Sequence, residues 1–216
     1  MSLRDVLRKI QEESLKKDEI RQEIQNIARR ITRLSKQAIF LVHRDKISEA
    51  ENLLREASTG LSKLSELSKV HPDLYYIGLV DSAFEEYAEA WIFLKIVSEG
   101  DFISPEDIGA PNEPYVLGLA DVIGELRRRS LDLIRKGDAE GAENFLGIME
   151  SIYVEIMGHD DLLILISGLR RKCDVARRVI EATRGDVTIE VRRNMLNNAM
   201  RELQKILGIK ASDKPQ

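Results

Sequence analysis

The spacing of apolar residues constrains the fold most, because it follows the period of an α-helix almost throughout the chain. Between residues 20 and 41, isoleucine, leucine and alanine recur every three or four positions, as on one face of a long amphipathic helix. A second run of this kind covers residues 47–67 and begins after only a few residues, which predicts an antiparallel helical hairpin. No segment alternates apolar and polar residues between turns as a strand would. The sequence therefore predicts an all-α fold.

Glycine and proline positions divide the rest of the chain. Pro72 is expected to open a third helix that runs to about residue 100, and residues 100–114, with three prolines and two glycines, form the main connection with one capped helical turn. The remaining helices are predicted at 114–136, 139–157, 160–183 and 188–207, with a turn at Arg184-Gly185. This makes a seven-helix α/α bundle in one domain over 1–216, with its core at about 20–207 and a frayed tail at 208–216.

Charge and cysteine content limit the partners and the compartment. Lys and Arg number 33 against 37 Asp and Glu, a net charge of -4, so any RNA or DNA site must be a local patch. The single cysteine, Cys173, excludes an internal disulfide and is interpreted as a buried core thiol in a reducing compartment. The N-terminus is too charged for a secretory signal, and the longest apolar run, 162–166, is far shorter than the ~20 residues of a spanning helix. We therefore expect a soluble, cytoplasmic protein with no membrane partner.

Two pairs of carboxylates are candidates for chemistry. Glu86 and Glu89 are three residues apart in the third predicted helix, on a partly apolar face opposite the seam formed by Phe84 and Trp91. In the fourth predicted helix, Asp121 and Glu125 are four residues apart and repel each other. Oxygen ligands from two facing helices suit Mg²⁺ or Mn²⁺, and no histidine or lysine is expected among them.

Spacing alone is also compatible with these carboxylates lying on an ordinary solvated helix face, and it favours that interpretation over a metal site. Asp121, Glu125, Arg128, Asp132 and Arg135 form one stripe of alternating charge, as in a ladder of ion pairs. Arg128 follows Glu125 by about one turn, where a guanidinium could hold a phosphate beside a bound metal. A further basic group on the first long helix includes Arg29, Arg33 and Lys36, and each such cluster alone is typical of a solvated surface.

Three segments resemble the translin superfamily, most closely its translin-associated factor X (Trax) branch. They are SKQAIFLVHR at 35–44, EYAEA at 86–90 and YVLGLADVIGEL at 115–126, in the order of the family, and Arg184-Gly185 is similar to its final turn. The resemblance covers roughly residues 20–200, and the part around 118–126 is the most specific.

The resemblance implies a fold, an assembly and an activity. It implies a seven-helix fold that closes into an octamer with RNA inside, in which Trax is a metal-dependent endoribonuclease and translin a catalytically silent RNA-binding partner. The acidic positions of Trax correspond in this chain to four carboxylates: Glu86, Glu89, Asp121 and Glu125. Translin lacks the full set. The connection at 100–114 is shorter than in Trax, and the basic stretch that translin carries near the third helix is absent. The short, cysteine-poor chain is interpreted as an archaeal form that makes a homo-oligomer.

Three functions follow as hypotheses. The first is a Mg²⁺-dependent endoribonuclease that cleaves single-stranded RNA, with RNA contacts from Arg128, Arg29, Arg33 and Lys36. The alternative is a non-catalytic, translin-like protein that binds single-stranded RNA or DNA. The third is a helical interaction protein whose partner surface is the Phe84/Trp91 seam. A closed homo-oligomer, most simply of eight subunits, is expected because the third helix presents two apolar faces that one domain would struggle to cover.

Overall fold

The computed structural model describes residues 2–70 and 78–207, except for the side chains of Ser68 and Lys69. Within these ranges there are eight helices and no strand: α1 (Leu3–His43), α2 (Ile47–Val70), α3 (Gly78–Glu99), α4 (Pro105–Ile108), α5 (Asn112–Lys136), α6 (Ala139–Met157), α7 (Asp160–Leu165) and α8 (Leu169–Ile206). The all-α prediction is confirmed. The predicted helix start at Pro72 and the predicted frayed tail lie outside the described residues.

The first helix begins far earlier than the apolar pattern indicated. A capping box starts it, in which the Ser2 hydroxyl accepts a hydrogen bond from the Asp5 backbone amide and the Asp5 carboxylate accepts one from the Ser2 amide. Its first buried residue is Ile24, so the turns before it are helical without packing on a core. The apolar period predicted where this helix packs, not where it begins.

The predicted turn at Arg184-Gly185 is wrong, because α8 continues through both residues. A helical glycine costs only ~1 kcal/mol, and here Thr183 and Val187 on either side are buried, so packing maintains the helix. The real break comes earlier, at Gly168, whose φ of +86° favours glycine. It divides the predicted helix over 160–183 into α7 and the first part of α8.

Contacts divide the chain into two compact units, Met1–Val122 and Ile123–Gln216. The expectation of one domain stays a prediction. In the first unit α1 and α2 form the predicted hairpin, and the ion pairs Arg30–Glu56 and Lys63–Glu23 show that the two helices are antiparallel. The turn between them is closed by a hydrogen bond from the Lys46 amide to the Leu41 carbonyl.

The third helix is the centre of the first unit and packs on both α1 and α2. Its residues are buried on almost every side, including Tyr87, Ile92 and Phe93. Phe84 is also buried, and the Trp91 ring packs edge-on against Tyr87 with 6.5 Å between the ring centroids. The two apolar faces of α3 are therefore covered within the chain. They neither require other subunits nor offer the partner surface of the third hypothesis.

The connection after α3 returns the chain to the first half of that helix. The Ser104 hydroxyl caps α4, which confirms the capped helical turn predicted from the sequence. Ile108 at the end of α4 lines a cleft together with Phe84 of α3. Burial raises the pKa of Asp81 near the start of α3, and the charge of Glu113 near the start of α5 raises it further. Farther along α5, Gly118 lies against the turn of α3 from Glu85 to Glu89, so the first part of α5 runs in the same direction as α3.

The second unit is built on α6 and α8, with the short α7 between them. Cys173 on α8 is buried as predicted, and burial raises the pKa of its thiol. Arg127 of α5 donates to the Thr183 hydroxyl at 2.7 Å and to the Asp186 carboxylate at 3.2 Å. Arg127 thus has structural partners on α8, and its side chain is only 28% exposed. In the described ranges no helix combines the length and the low charge that crossing a membrane requires.

Candidate active site

The close approach of α3 and α5 depends on Gly118. A Cβ atom on Gly118 would lie 2.7 Å from the Glu85 carbonyl oxygen and 2.9 Å from the Glu89 backbone nitrogen. Real Cβ atoms essentially never come so near backbone atoms, so only glycine permits the two helices to touch here. The turn of α3 that Gly118 contacts is the one that carries the first pair of candidate carboxylates.

The structure brings three of the four predicted carboxylates to this region of the first unit. Glu86 and Glu89 are half-buried on the turn of α3 beside Gly118. Asp121 is half-buried and follows Gly118 by three residues, so it lies on the same face of α5. Glu125 is one turn farther along α5, in the second unit, with its side chain 26% exposed.

A lysine accompanies these carboxylates, contrary to the expectation from the sequence. Lys36 Nζ of α1 lies 3.0 Å from Glu86 Oε1, and the Glu86 side chain is only 23% exposed. Spacing along α3 gave no sign of this contact, because the two residues are far apart in sequence and meet only when α1 packs on α3. The partial burial of Glu86 is offset by this cation.

The ligand chemistry suits a hard divalent cation, but the side chains are not gathered as a metal centre. All four predicted ligands are carboxylates, which Mg²⁺ and Mn²⁺ accept. Among the residues that the structure describes, no three Asp, Glu, His or Cys side chains converge so that they could hold a metal ion. Binding would require these side chains to turn toward one another and Lys36 to release Glu86.

The ladder alternative is present in part. Arg128 Nη1 lies 3.9 Å from Glu125 Oε2, and Arg135 Nη1 lies 3.2 Å from Asp132 Oδ1. Both arginines are exposed, so each pair adds little to stability. The 3.9 Å separation leaves the Arg128 guanidinium available to another anion.

The predicted basic residues of α1 share one face and border a cleft of about 480 Å³. Arg29, Arg33 and Lys36 line it, together with the Phe40 ring and Leu79 of α3. Arg44 lies over that ring, with its guanidinium carbon 4.1 Å from the ring centroid. Sequence reasoning missed this aromatic residue, although a phenylalanine four residues before an arginine in a basic helix is a usable signal.

Comparison with known proteins places the chain among relatives of the same fold. The model of the Translin family matches residues 19–182. The chain belongs to the translin family. An uncharacterised protein of Methanocaldococcus jannaschii is 31% identical over 190 residues, which are 87% of this translin-family chain and 84% of the relative.

Solved structures with the same fold are also similar in sequence. AfC3PO is 32% identical, with a TM-score of 0.77 over 88% of this chain and 98% of its own. A structure of AfC3PO with duplex RNA matches with a TM-score of 0.76 at the same identity and coverage. Apo-NeC3PO is 27% identical, with a TM-score of 0.74 over 85% of this chain and 96% of its own. The translin-like fold predicted from the sequence is thus confirmed.

Proposed function

We propose that this translin-family chain is a Trax-like, Mg²⁺-dependent endoribonuclease that binds and cleaves single-stranded RNA in the cytoplasm. The observation that supports it best is the contact at Gly118, which joins the acidic turn of α3 to the helix face that carries Asp121. Glu86, Glu89, Asp121 and Glu125 are the proposed metal ligands.

RNA binding is supported by the cationic face of α1 and by a relative. Arg29 and Arg33 form no ion pair with any side chain in 2–70 or 78–207, so both guanidinium groups are available to phosphate. Both line the same cleft as Lys36, which forms an ion pair with Glu86. AfC3PO, 32% identical to this chain, has been solved with duplex RNA.

In the proposed cleavage reaction, the metal ligands and the two cations have different roles. A Mg²⁺ ion held by the four proposed carboxylate ligands would supply polarisation of the scissile phosphate and a lower pKa for the attacking water. Lys36, released from Glu86, holds a phosphate oxygen near the carboxylates. Arg128 neutralises the negative charge that develops on the phosphate.

A non-catalytic, translin-like RNA- or DNA-binding protein is the second candidate. It is favoured by the Lys36–Glu86 ion pair and by the lack of a gathered ligand group among the described residues. Incubating the purified protein with end-labelled single-stranded RNA separates the two functions. Cleavage in Mg²⁺ or Mn²⁺ that stops with chelator supports the enzyme, whereas binding without cleavage in either ion identifies the binding protein.

RNA affinity should depend steeply on salt and little on sequence, because the proposed contacts are cations on phosphates. In chelator, Arg33→Ala should weaken binding to unrelated single strands alike and reduce the slope of log K against log salt by about 1. Arg8→Ala is the matched control, since Arg8 is an exposed arginine of α1 that pairs with Glu12 and lies outside the cleft. Weaker binding to one sequence only would indicate base readout and contradict this contact.

We further propose a closed homo-oligomer, most simply an octamer, held by exposed apolar residues at the ends of two helices. Leu3, Leu7 and Ile10 of α1 are each more than half exposed and recur every three or four positions. A similar stripe of exposed apolar residues runs along the last turns of α8 and the residue after it: Leu196, Met200, Leu203 and Leu207. Such stripes are typical of helices that pack on a partner helix. Light scattering at micromolar concentration should give a mass of several subunits, and a monomer would reject the assembly.

A further inference from the structure

The aromatic ring of Phe40 is unusual for its position on the basic face of α1. Its residue is 45% exposed, although most large apolar residues of the packed part of α1 are buried. The exposed ring borders the cleft and lies one turn beyond Lys36 on the same helix. Phe40 is therefore a large apolar surface presented beside cations, with no core to cover it.

Arg44 holds the ring from one side. Its guanidinium carbon lies 4.1 Å from the ring centroid, within the range of a cation–π contact. Ring and guanidinium are both planar groups that stack on nucleobases. The contact thus joins the two groups into one platform, in which the Phe40 residue is still 45% exposed.

The platform lies in line with the cations that are proposed to bind the phosphates of a nucleic-acid strand. Arg29, Arg33, Lys36 and Phe40 are spaced by four, three and four residues, so they follow one line along the helix. The ring is about 10 Å along the axis from Arg33 and about 6 Å from Lys36. A nucleic-acid backbone that lies on the cations would bring an adjacent base to the ring.

From these contacts we infer that Phe40, backed by Arg44, is a stacking platform for an unpaired base and gives this protein its preference for single-stranded RNA. The inference rests on the proposed function and assigns a specificity residue to it. A base in a duplex is already paired and stacked, so it reaches the ring only at an end. Every base has a flat face, so the platform tolerates any sequence.

The test compares binding of a short single-stranded oligoadenylate and of a blunt RNA duplex of the same length, in chelator. Phe40→Leu keeps an apolar side chain and removes the aromatic face, so affinity for the single strand should fall about tenfold. Affinity for the duplex should change less than about twofold, because its bases do not use the ring. Phe40→Trp should retain or improve single-strand binding, since indole stacks on bases at least as well.

Phe102→Leu is the matched control, because Phe102 is a second phenylalanine of similar exposure, 47%, outside the basic cleft. It should change neither affinity. A second measurement uses an oligoadenylate with one 2-aminopurine, whose fluorescence falls on stacking. The fall should occur with the wild type and with Phe40→Trp, and should be lost with Phe40→Leu.

Three outcomes overturn the platform. One is an unchanged single-strand affinity of Phe40→Leu, and another is an equal loss for strand and duplex, which would make Phe40 a general support of α1. The third is a change in the size of the oligomer with intact RNA affinity, which would make the ring a contact between subunits. Wild-type protein that binds neither RNA would instead overturn the proposed function itself, and the platform with it.

Discussion

Asp121→Asn should reduce cleavage of single-stranded RNA in Mg²⁺ by roughly 100-fold or more, because metal activation of the phosphate and water supplies several kcal/mol of the barrier reduction. The amide has almost the volume of the carboxylate, so helix content and melting temperature should stay close to those of the wild type. RNA binding in chelator should also be retained. Gel analysis of labelled RNA over time measures the rate.

Asp132→Asn is the control for this variant. Asp132 lies farther along the same helix, pairs with the exposed Arg135 and is not among the four proposed ligands. Its replacement should leave the rate unchanged and cost little stability. An Asp121→Asn protein that cleaves at the wild-type rate would remove Asp121 from the active site.

Replacing all four carboxylates by amides distinguishes a metal site from a ladder of ion pairs. In a metal site the change removes mutual repulsion and negative charge near the RNA, so RNA affinity should stay equal or rise. In a ladder the same change strips partners from Lys36 and Arg128, and its main effect would be a lower melting temperature.

Gly118→Ala should lower the free energy of unfolding by about 1–3 kcal/mol, because the new methyl group meets the backbone of α3 and the helices must separate. The separation should also reduce cleavage, since it moves Asp121 away from Glu86 and Glu89. Denaturant unfolding and the cleavage rate of the folded variant measure the two effects.

Gly124→Ala on the same helix is the matched control. A Cβ atom at Gly124 meets nothing within 4 Å, so alanine adds helix propensity and should stabilise the protein by about 0.5–1 kcal/mol. Opposite signs for the two variants identify the contact with α3 as the cause. Stabilisation of both would mean that α5 does not approach α3 as described.

What the sequence predicted well depends on neighbours along the chain. The predicted span 139–157 coincides with α6, whose start is capped by Asp138 accepting a hydrogen bond from the Gly141 amide. Glu86 and Glu89 likewise lie on one helix and Asp121 and Glu125 on another, as their spacing predicted, whereas their role as metal ligands stays a prediction. The translin fold was recognised from short local motifs for the same reason.

What the sequence missed depends on residues that are distant along the chain. Neither the Lys36–Glu86 pair nor the anchoring of Arg127 to Thr183 and Asp186 has a local signal. The glycines of the last helices illustrate the same limit. Both Gly168 and Gly185 suggest a break, but burial on either side of Gly185 maintains the helix there. Packing decides between them, and packing is not visible in local spacing.

The shared direction of α3 and α5 sets a minimum length for the segment that joins them. From Phe84 to Glu99 the third helix rises about 22 Å, and the chain must return over about that distance for Ile108 to line the same cleft as Phe84. Even if residues 100–104 were fully extended, they and the four residues of α4 would span at most roughly 23 Å, so a shorter connection would not return the chain to that point. Inserted residues would bulge outward at small entropic cost, whereas a deletion would pull α5 along α3 and shift Gly118 off its turn. In proteins with this arrangement, we expect the segment that joins α3 to α5 to tolerate insertions and not deletions.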